Sequence, residues 1–508
     1  MMVVTLEAAR GDRGDLSSEI TQRPARSDRS TGSTTATPSE PSGRRPADPR
    51  PPAPQRMSPR PGDRHRGRTE QKEKVTRIPN IALAAAVAGM IACVGSPALG
   101  ADEEHPKTAA ELGLMQGFPP APAKLVTLAN WQGEPYNRWS LQHVSEVIPS
   151  ARIGRSNGIA ELETVLQSVD AVTFAAVDGK RKTVADMLVD TYTDGFLVLH
   201  NGKIVAERYF NAMGPASLHL LHGITQSYIG TLAGLPITRG QLDVDKPVTD
   251  YIPELKGTGF DGATVRQVLD MRTGVTFGED PTDPTAESSV MEISIGWRPR
   301  GYSDAPASAY DFIETLTQKD SDHGKKFEYR SAHTYVLAWL IETVTETRLQ
   351  DYFATELWAK LGAEYDAAFT VDPHGTPAAG AGLNTTLRDA ARFGQMHLQG
   401  GFFNGQQVIP TEWITDCRQG DEGARGAYVG SEYARLFPKG IYRNHWWVKD
   451  PSKGIYVAVG RYGQIMYINV PANLVVVKLS SYPKADDHNV IVDHVRAFDA
   501  IAENLSKE

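Results

Sequence analysis

"HGITQSYIGTLAGLPITRGQLDVDKPVTDYIPEL", His222 to Leu255, opens on an almost uncharged run and passes at Arg239-Gly240 into a segment punctuated by Asp and Pro. The run predicts a helix from Ile224 to about Thr238, and the Gly and Pro that follow mark its end. A helix with so little charge on any face belongs inside a core. At 508 residues and 40% hydrophobic content the chain is long enough to bury a large one, so one big domain plus tails is the natural organisation.

Strand signals lie on both sides of this helix. "GFLVLHNGKIVAERYF", Gly195 to Phe210, alternates around Asn201-Gly202, the dipeptide preferred in a two-residue type I′ hairpin. "GIYVAVGRYGQIMYINVPANLVVVKLSS", Gly454 to Ser481, supplies further strands, broken near Arg461-Tyr462 and at Pro471-Ala472-Asn473. "NVIVDHVRAFDAIAENL", Asn489 to Leu505, then carries helical spacing. The pattern predicts an α+β fold, an α/β/α sandwich. One antiparallel sheet is completed by segments from both ends of the chain, with a mostly helical subdomain inserted over roughly 240–400. Trp446 and Trp447 fall at alternating strand positions, so one faces inward and the other outward.

The first hundred residues read differently. Residues 1–77 are rich in Arg, Pro and Ser with almost no apolar periodicity, which predicts disorder and is compatible with an over-extended gene model. After a basic flank, "QKEKVTR" (71–77), residues 78–100 combine an Ala-rich apolar run with small residues at Ala98 and Gly100. That arrangement predicts a secretory signal cleaved after Gly100, leaving 101–508 as the mature domain, exported to the periplasm or the extracellular space. A signal anchor, or a lipoprotein attached at Cys93, is the alternative; cleavage leaves no stable membrane span.

The first hundred residues hold 16 of the 53 Lys and Arg and 10 of the 61 Asp and Glu, so the remainder carries a net −14. That acidity argues against nucleic acid or an anionic membrane as a partner. Cys417 is the one cysteine left after cleavage, which excludes an intramolecular disulfide and a cysteine zinc site. No cofactor or metal is expected.

The helix and its neighbours closely resemble the serine β-lactamase and penicillin-binding-protein superfamily, in which a helix begins at Ser-x-x-Lys and is followed by "GxLxLDxPVxxYxP". Four more segments resemble that superfamily in order. They are "ATVRQVLDMRTGVTF" (263–277), "FEYRSAHTYVLAWLIE" (327–342), "AAGAGLNTTLRDAARFGQMHLQGG" (378–401) and "VGRYGQIMYINVP" (459–471). "GFPPAPAKLVTLANW", "DGFLVLHNGKIVAERYF" and "GWRPRG" narrow the likeness to the class C-like branch that contains the 6-aminohexanoate-dimer hydrolases.

The resemblance implies a serine nucleophile at the helix start, a lysine one turn on that takes its proton, a tyrosine completing the relay and backbone N–H groups holding the oxyanion. Here the nucleophile position is Gly223 and the base position is Gln226. One has no side chain, and the other has an amide that is neither base nor cation. The remaining elements implied by the resemblance are Tyr329 with Ser331 beside it, and Tyr462, Gly463 and Gln464 on the oxyanion strand.

Ser227 is rotated by about 100° from the nucleophile position and lacks an activator. His222 precedes Gly223 and His333 follows Tyr329 by one helical turn, which makes both candidate ligand contacts and candidate activators of a water. Segment 278–306, a long lid-like loop rich in turn residues, offers Trp297 and Tyr302 as ligand contacts.

The expected function is a non-hydrolytic relative that binds a small amide, ester, acyl or peptide-like ligand. The alternative is an active amidase, esterase or acyltransferase with a relocated mechanism. If the cleft keeps its ancestral shape, restoring Ser and Lys together should recover esterase activity beyond the sum of the single changes.

Overall fold

The computed structural model describes residues 105–280 and 283–507. The tail 1–77, the segment 78–100 expected to be a cleaved signal, and Cys93 lie outside the described residues. Among the described residues no helix is long and apolar enough to cross a membrane.

Seven strands form the main sheet: β1 (Thr193–His200), β2 (Lys203–Tyr209), β3 (Ile441–Arg443), β4 (Trp446–Asp450), β5 (Ile455–Gly460), β6 (Gln464–Asn469) and β7 (Leu474–Ser480). Their order is β3-β4-β5-β6-β7-β1-β2, and each neighbouring pair is antiparallel. The hairpin β1-β2 thus joins strands from the far end of the chain, as the alternation at both ends predicts. Its turn has φ of 50° at Asn201 and 76° at Gly202, with His200 paired to Lys203. Two consecutive left-handed residues are what a type I′ turn demands, and Asn-Gly meets that at low cost.

Six helices position the site: α1 (Val184–Asp190), α2 (Ile224–Leu232), α3 (Glu287–Ser294), α4 (Ala332–Thr345), α5 (Leu387–Leu398) and α6 (His488–Leu505). The sheet is buried on both faces, and its side chains divide with the strand period of two. Val475, Val477 and Leu479 join the core formed with α2 and α5, while Leu474 and Val476 join the one formed with α1 and α6. This is the α/β/α sandwich. Trp446 and Trp447 obey the same alternation, but both are buried because both faces are covered.

Three expectations need correction. The first predicted helix stops at Leu232, and Gly234–Thr238 forms a separate short helix. Pro236 has no N–H for the carbonyl of Leu232, so the ladder breaks there. The inserted region also carries strands Ala367–Thr370 and Leu383–Thr385 of a smaller sheet, and α5 packs on the main sheet, so the helical insertion ends before it. Segment 278–306 is not a bare loop: it contains α3, and Trp297 is only 3% exposed.

Candidate functional site

Gly223 immediately precedes α2, a nine-residue helix whose every residue is buried. His222 reaches it through a left-handed backbone, φ 46°. The N–H groups of Ile224, Thr225 and Gln226 are taken by the carbonyls of Leu221, His222 and Gly223, and the helix dipole still makes this end attractive to a carbonyl or an anion. It opens on a cavity of about 350 Å³ that also admits Gln226, Tyr329, Ser331, Trp297, the end of β5 at Val459-Gly460 and the Arg461 that follows it.

There is no room at Gly223 for a side chain. A Cβ built there would lie 2.4 Å from the carbonyl oxygen of Val459 and 2.6 Å from the Tyr329 hydroxyl. The tyrosine hydroxyl stands where a nucleophilic side chain would project. Its ring packs on Trp447 with centroids 5.1 Å apart, and Tyr433 and Tyr442 complete an aromatic nest. Burial, with Glu279 and Asp486 adding to it, pushes the Tyr329 phenol well above its usual range, so it stays protonated.

The cavity wall carries an ion network. The Arg461 guanidinium lies 3.6 Å from Glu292 Oε1 and 3.5 Å from Asp486 Oδ2, linking α3 to the segment that enters α6. Burial works against the charge on Arg461, and Asp486, Glu279 and Glu292 outweigh it. Glu279 accepts two 2.9 Å hydrogen bonds from Ser331, one from its N–H and one from its hydroxyl. Burial still leaves the Glu279 carboxyl above its ordinary range. His222 sits edge-on to Trp297 and against Tyr462, and burial, then Arg461, hold it neutral.

Residues 181–499 match the family described as Beta-lactamase. The 6-aminohexanoate-dimer hydrolase of Paenarthrobacter ureafaciens is 37% identical over 391 residues, covering 76% of this chain and 97% of that one. The chain belongs to the β-lactamase family. A solved structure assigned as a 6-aminohexanoate-dimer hydrolase from Bacillus anthracis superposes with a TM-score of 0.70 at 30% identity, covering 76% of this chain and 99% of its own. A protein assigned as a β-lactamase from Bacteroides dorei matches at TM-score 0.52 and 17% identity, over 64% of this chain and 97% of its own, which speaks to the fold alone.

Within this family framework the structure gathers Gly223, Gln226, Tyr329, Ser331, His222 and Trp297 around one cavity. Trp297 does two things there: it lines the cavity, and its indole N–H donates to Thr370 Oγ1 at 3.1 Å, fixing the segment to the body.

Other expected positions lie elsewhere. Gly463 and Gln464 do not line this cavity; the strand residues that do are Val459, Gly460 and Arg461. The chain kinks at the left-handed Tyr462 (φ 61°), and the Gln464 amide is spent on Ser480, donating to its carbonyl at 2.6 Å and accepting from its N–H at 2.9 Å. Tyr462 itself is buried behind His222. His333 is a packed histidine held between Thr273 Oγ1 at 2.8 Å and the Arg330 carbonyl at 3.0 Å. Tyr302 is fully exposed and outside the cavity. Ser227 donates to the His445 carbonyl at 2.7 Å and faces away from the cavity lining.

Sequence reasoning missed Glu279, Glu292, Arg461 and Asp486. Their one visible signal was an arginine, Arg461, inside the strand break already marked as special.

Proposed function

We propose that this β-lactamase-family protein is a binding protein on a hydrolase fold, holding an amide, acyl or peptide-like ligand in the old cleft without forming an acyl-serine. The observation that carries this reading is the nucleophile position: Gly223 has no hydroxyl, and the space for one is taken by the Val459 carbonyl and the Tyr329 hydroxyl. Gln226 supplies no base, and the protonated Tyr329 phenol supplies none either. The cavity keeps the start of α2, apolar walls and a charged rim, which are the parts a binding site needs.

A second reading has its own observation. The Ser331 hydroxyl donates to the Glu279 carboxylate inside the same cavity, which is the minimum arrangement for a displaced nucleophile. One measurement separates the two. Incubated with a fluorophosphonate or a β-lactam, the purified protein is expected to keep its intact mass. A labelled serine in peptide mapping would refute the binding reading, and a label on Ser331 would establish the second.

Export belongs to the same proposal. Amino-terminal sequencing of the mature protein is expected to begin at Ala101, and a mature chain retaining residues 78–100 would show an anchor instead.

A further inference from the structure

Away from the cleft, one buried region carries more basic than acidic side chains. Arg138 is 4% exposed and Lys478, on β7, is fully buried, and both draw on one buried carboxylate, Asp194 at the start of β1. Asp194 is already shared. It lies 3.1 Å from Arg138 Nη1, accepts from Asn211 Nδ2 at 2.8 Å and from Ser481 Oγ at 2.6 Å, and meets His219 Nε2 at 3.1 Å. Burial works against the charge on both bases and holds Lys478 down to about 7, while Asp194 supports it. Buried charges persist when they are paired, so two bases on one acid leave a place for a second anion.

Arg138 is where such an anion can enter. Its Nε donates to the Lys107 carbonyl at 3.1 Å, and its Nη1 donates to Ser481 Oγ at 2.6 Å and to the Tyr192 carbonyl at 3.2 Å besides Asp194. Nη2 has no partner among the described residues. Arg138 lines a cavity of about 230 Å³ that shares no residue with the cleft. The neighbouring Asn137 turns its amide nitrogen to the Tyr482 carbonyl at 2.9 Å and keeps its oxygen buried, which leaves the guanidinium to meet a ligand.

The other walls narrow the ligand. The free N–H pair of a guanidinium is matched by an oxyanion. His105 and Lys107 favour negative charge in the cavity, and Glu134 opposes more than one unit of it. Leu112, Tyr192 and three prolines give the cavity an apolar wall against which a carbon body can lie.

We propose that this cavity is a second binding site, which takes a small organic carboxylate with its oxygens on Arg138 Nη2 and its hydrocarbon part against Leu112 and Tyr192. It goes beyond the cleft reading and stands whether or not the cleft holds a ligand.

The test titrates butyrate, its neutral isostere butyramide, and inorganic phosphate into the purified protein carrying ¹³C-labelled Leu and Ile methyl groups. Leu112 reports this cavity, and Ile295 and Ile491 report the cleft. Butyrate is expected to shift Leu112 saturably and to bind there at least about tenfold more tightly than butyramide, because it gains a charged hydrogen bond. Phosphate is expected to bind more weakly than butyrate. Lys107→Gln is expected to weaken butyrate about two- to fivefold and Glu134→Gln to tighten it by a similar factor. Both side chains are exposed, so neither change puts folding at stake. Arg138→Lys keeps a charge toward Asp194 but has no Nη2, and is expected to abolish the preference for butyrate over butyramide; should it not fold, the two exposed variants decide. Shifts confined to Ile295 and Ile491, or equal binding of butyrate and butyramide at Leu112, overturn the site. Phosphate binding more tightly than butyrate overturns the carboxylate assignment.

Discussion

Moving from pH 7.5 to pH 5.5 is expected to cost the protein about 4 kcal/mol of stability, through three buried histidines. His333, His397 and His445 are each held down to about 3, and burial is the leading cause for all of them. Unfolded, each titrates at its ordinary value near 6.5. Between about 3 and 6.5 the unfolded chain therefore binds protons that the folded chain does not, and stability falls as the pH falls through that window. At pH 5.5, one unit below the unfolded value, each histidine contributes about 1.4 kcal/mol of loss. His222 and His494 are shifted in the same direction. The raised carboxyls of Glu279 and Asp389 act oppositely, since each is protonated more readily folded than unfolded.

Urea unfolding at the two pH values measures the difference directly. His397→Gln is expected to remove about 1.4 kcal/mol of it while keeping a polar group near Thr231 Oγ1, which His397 Nε2 meets at 2.9 Å. A midpoint that does not move between pH 7.5 and 5.5 would show that these rings are hydrated in solution.

The acid sensitivity has the same origin as the legibility of the fold. A sheet covered on both faces must be apolar on both, which is why the segments 195–210 and 454–481 announce themselves as strands, and why polar groups caught beneath it, such as His397, are fully desolvated. The hairpin and its partner strands were readable because Asn201-Gly202 and Pro471-Ala472-Asn473 encode their turns locally.

The site was readable only as far as it is local. Gly223 and Gln226 sit one turn apart at the start of one helix, and Tyr329 and Ser331 immediately precede another. Which residues of 459–464 face the cleft depends on the left-handed Tyr462, and nothing in a tyrosine announces that conformation. Glu279 and Glu292 come from segment 278–306, and Arg461 and Asp486 from two others far along the chain, so no spacing could join the four. His333 looked like a site residue because it follows Tyr329 by one turn; in the fold that turn points it at Thr273.

Restoring the catalytic pair, Gly223→Ser with Gln226→Lys, is expected to give a less stable protein and no appreciable ester hydrolysis. The obstacle is the Cβ atom, before any question of chemistry. At 2.4 Å from the Val459 oxygen and 2.6 Å from the Tyr329 hydroxyl, it is closer to both than a real Cβ approaches any heavy atom. The tyrosine can swing on its side chain, but the Val459 carbonyl belongs to a strand paired with β6 through Val459 and Ile465, so relief requires the end of β5 to retreat. Overpacking of this kind costs about 1–3 kcal/mol.

Gly223→Ala separates sterics from chemistry: it should lose nearly the same stability as Gly223→Ser, because the clash lies at Cβ. Gln226→Lys adds a desolvated ammonium whose pKa is driven down by burial, at a position 2% exposed. Thermal melts of the parent and the four variants, followed by assays on a short-chain ester, test the argument. If the double variant melts with the parent and hydrolyses the ester beyond the sum of the singles, the cleft has kept its ancestral shape and only its reactive groups were removed. If Gly223→Ala alone lowers the midpoint, β5 has closed over the position, and the backbone would have to reopen before a serine at 223 could act.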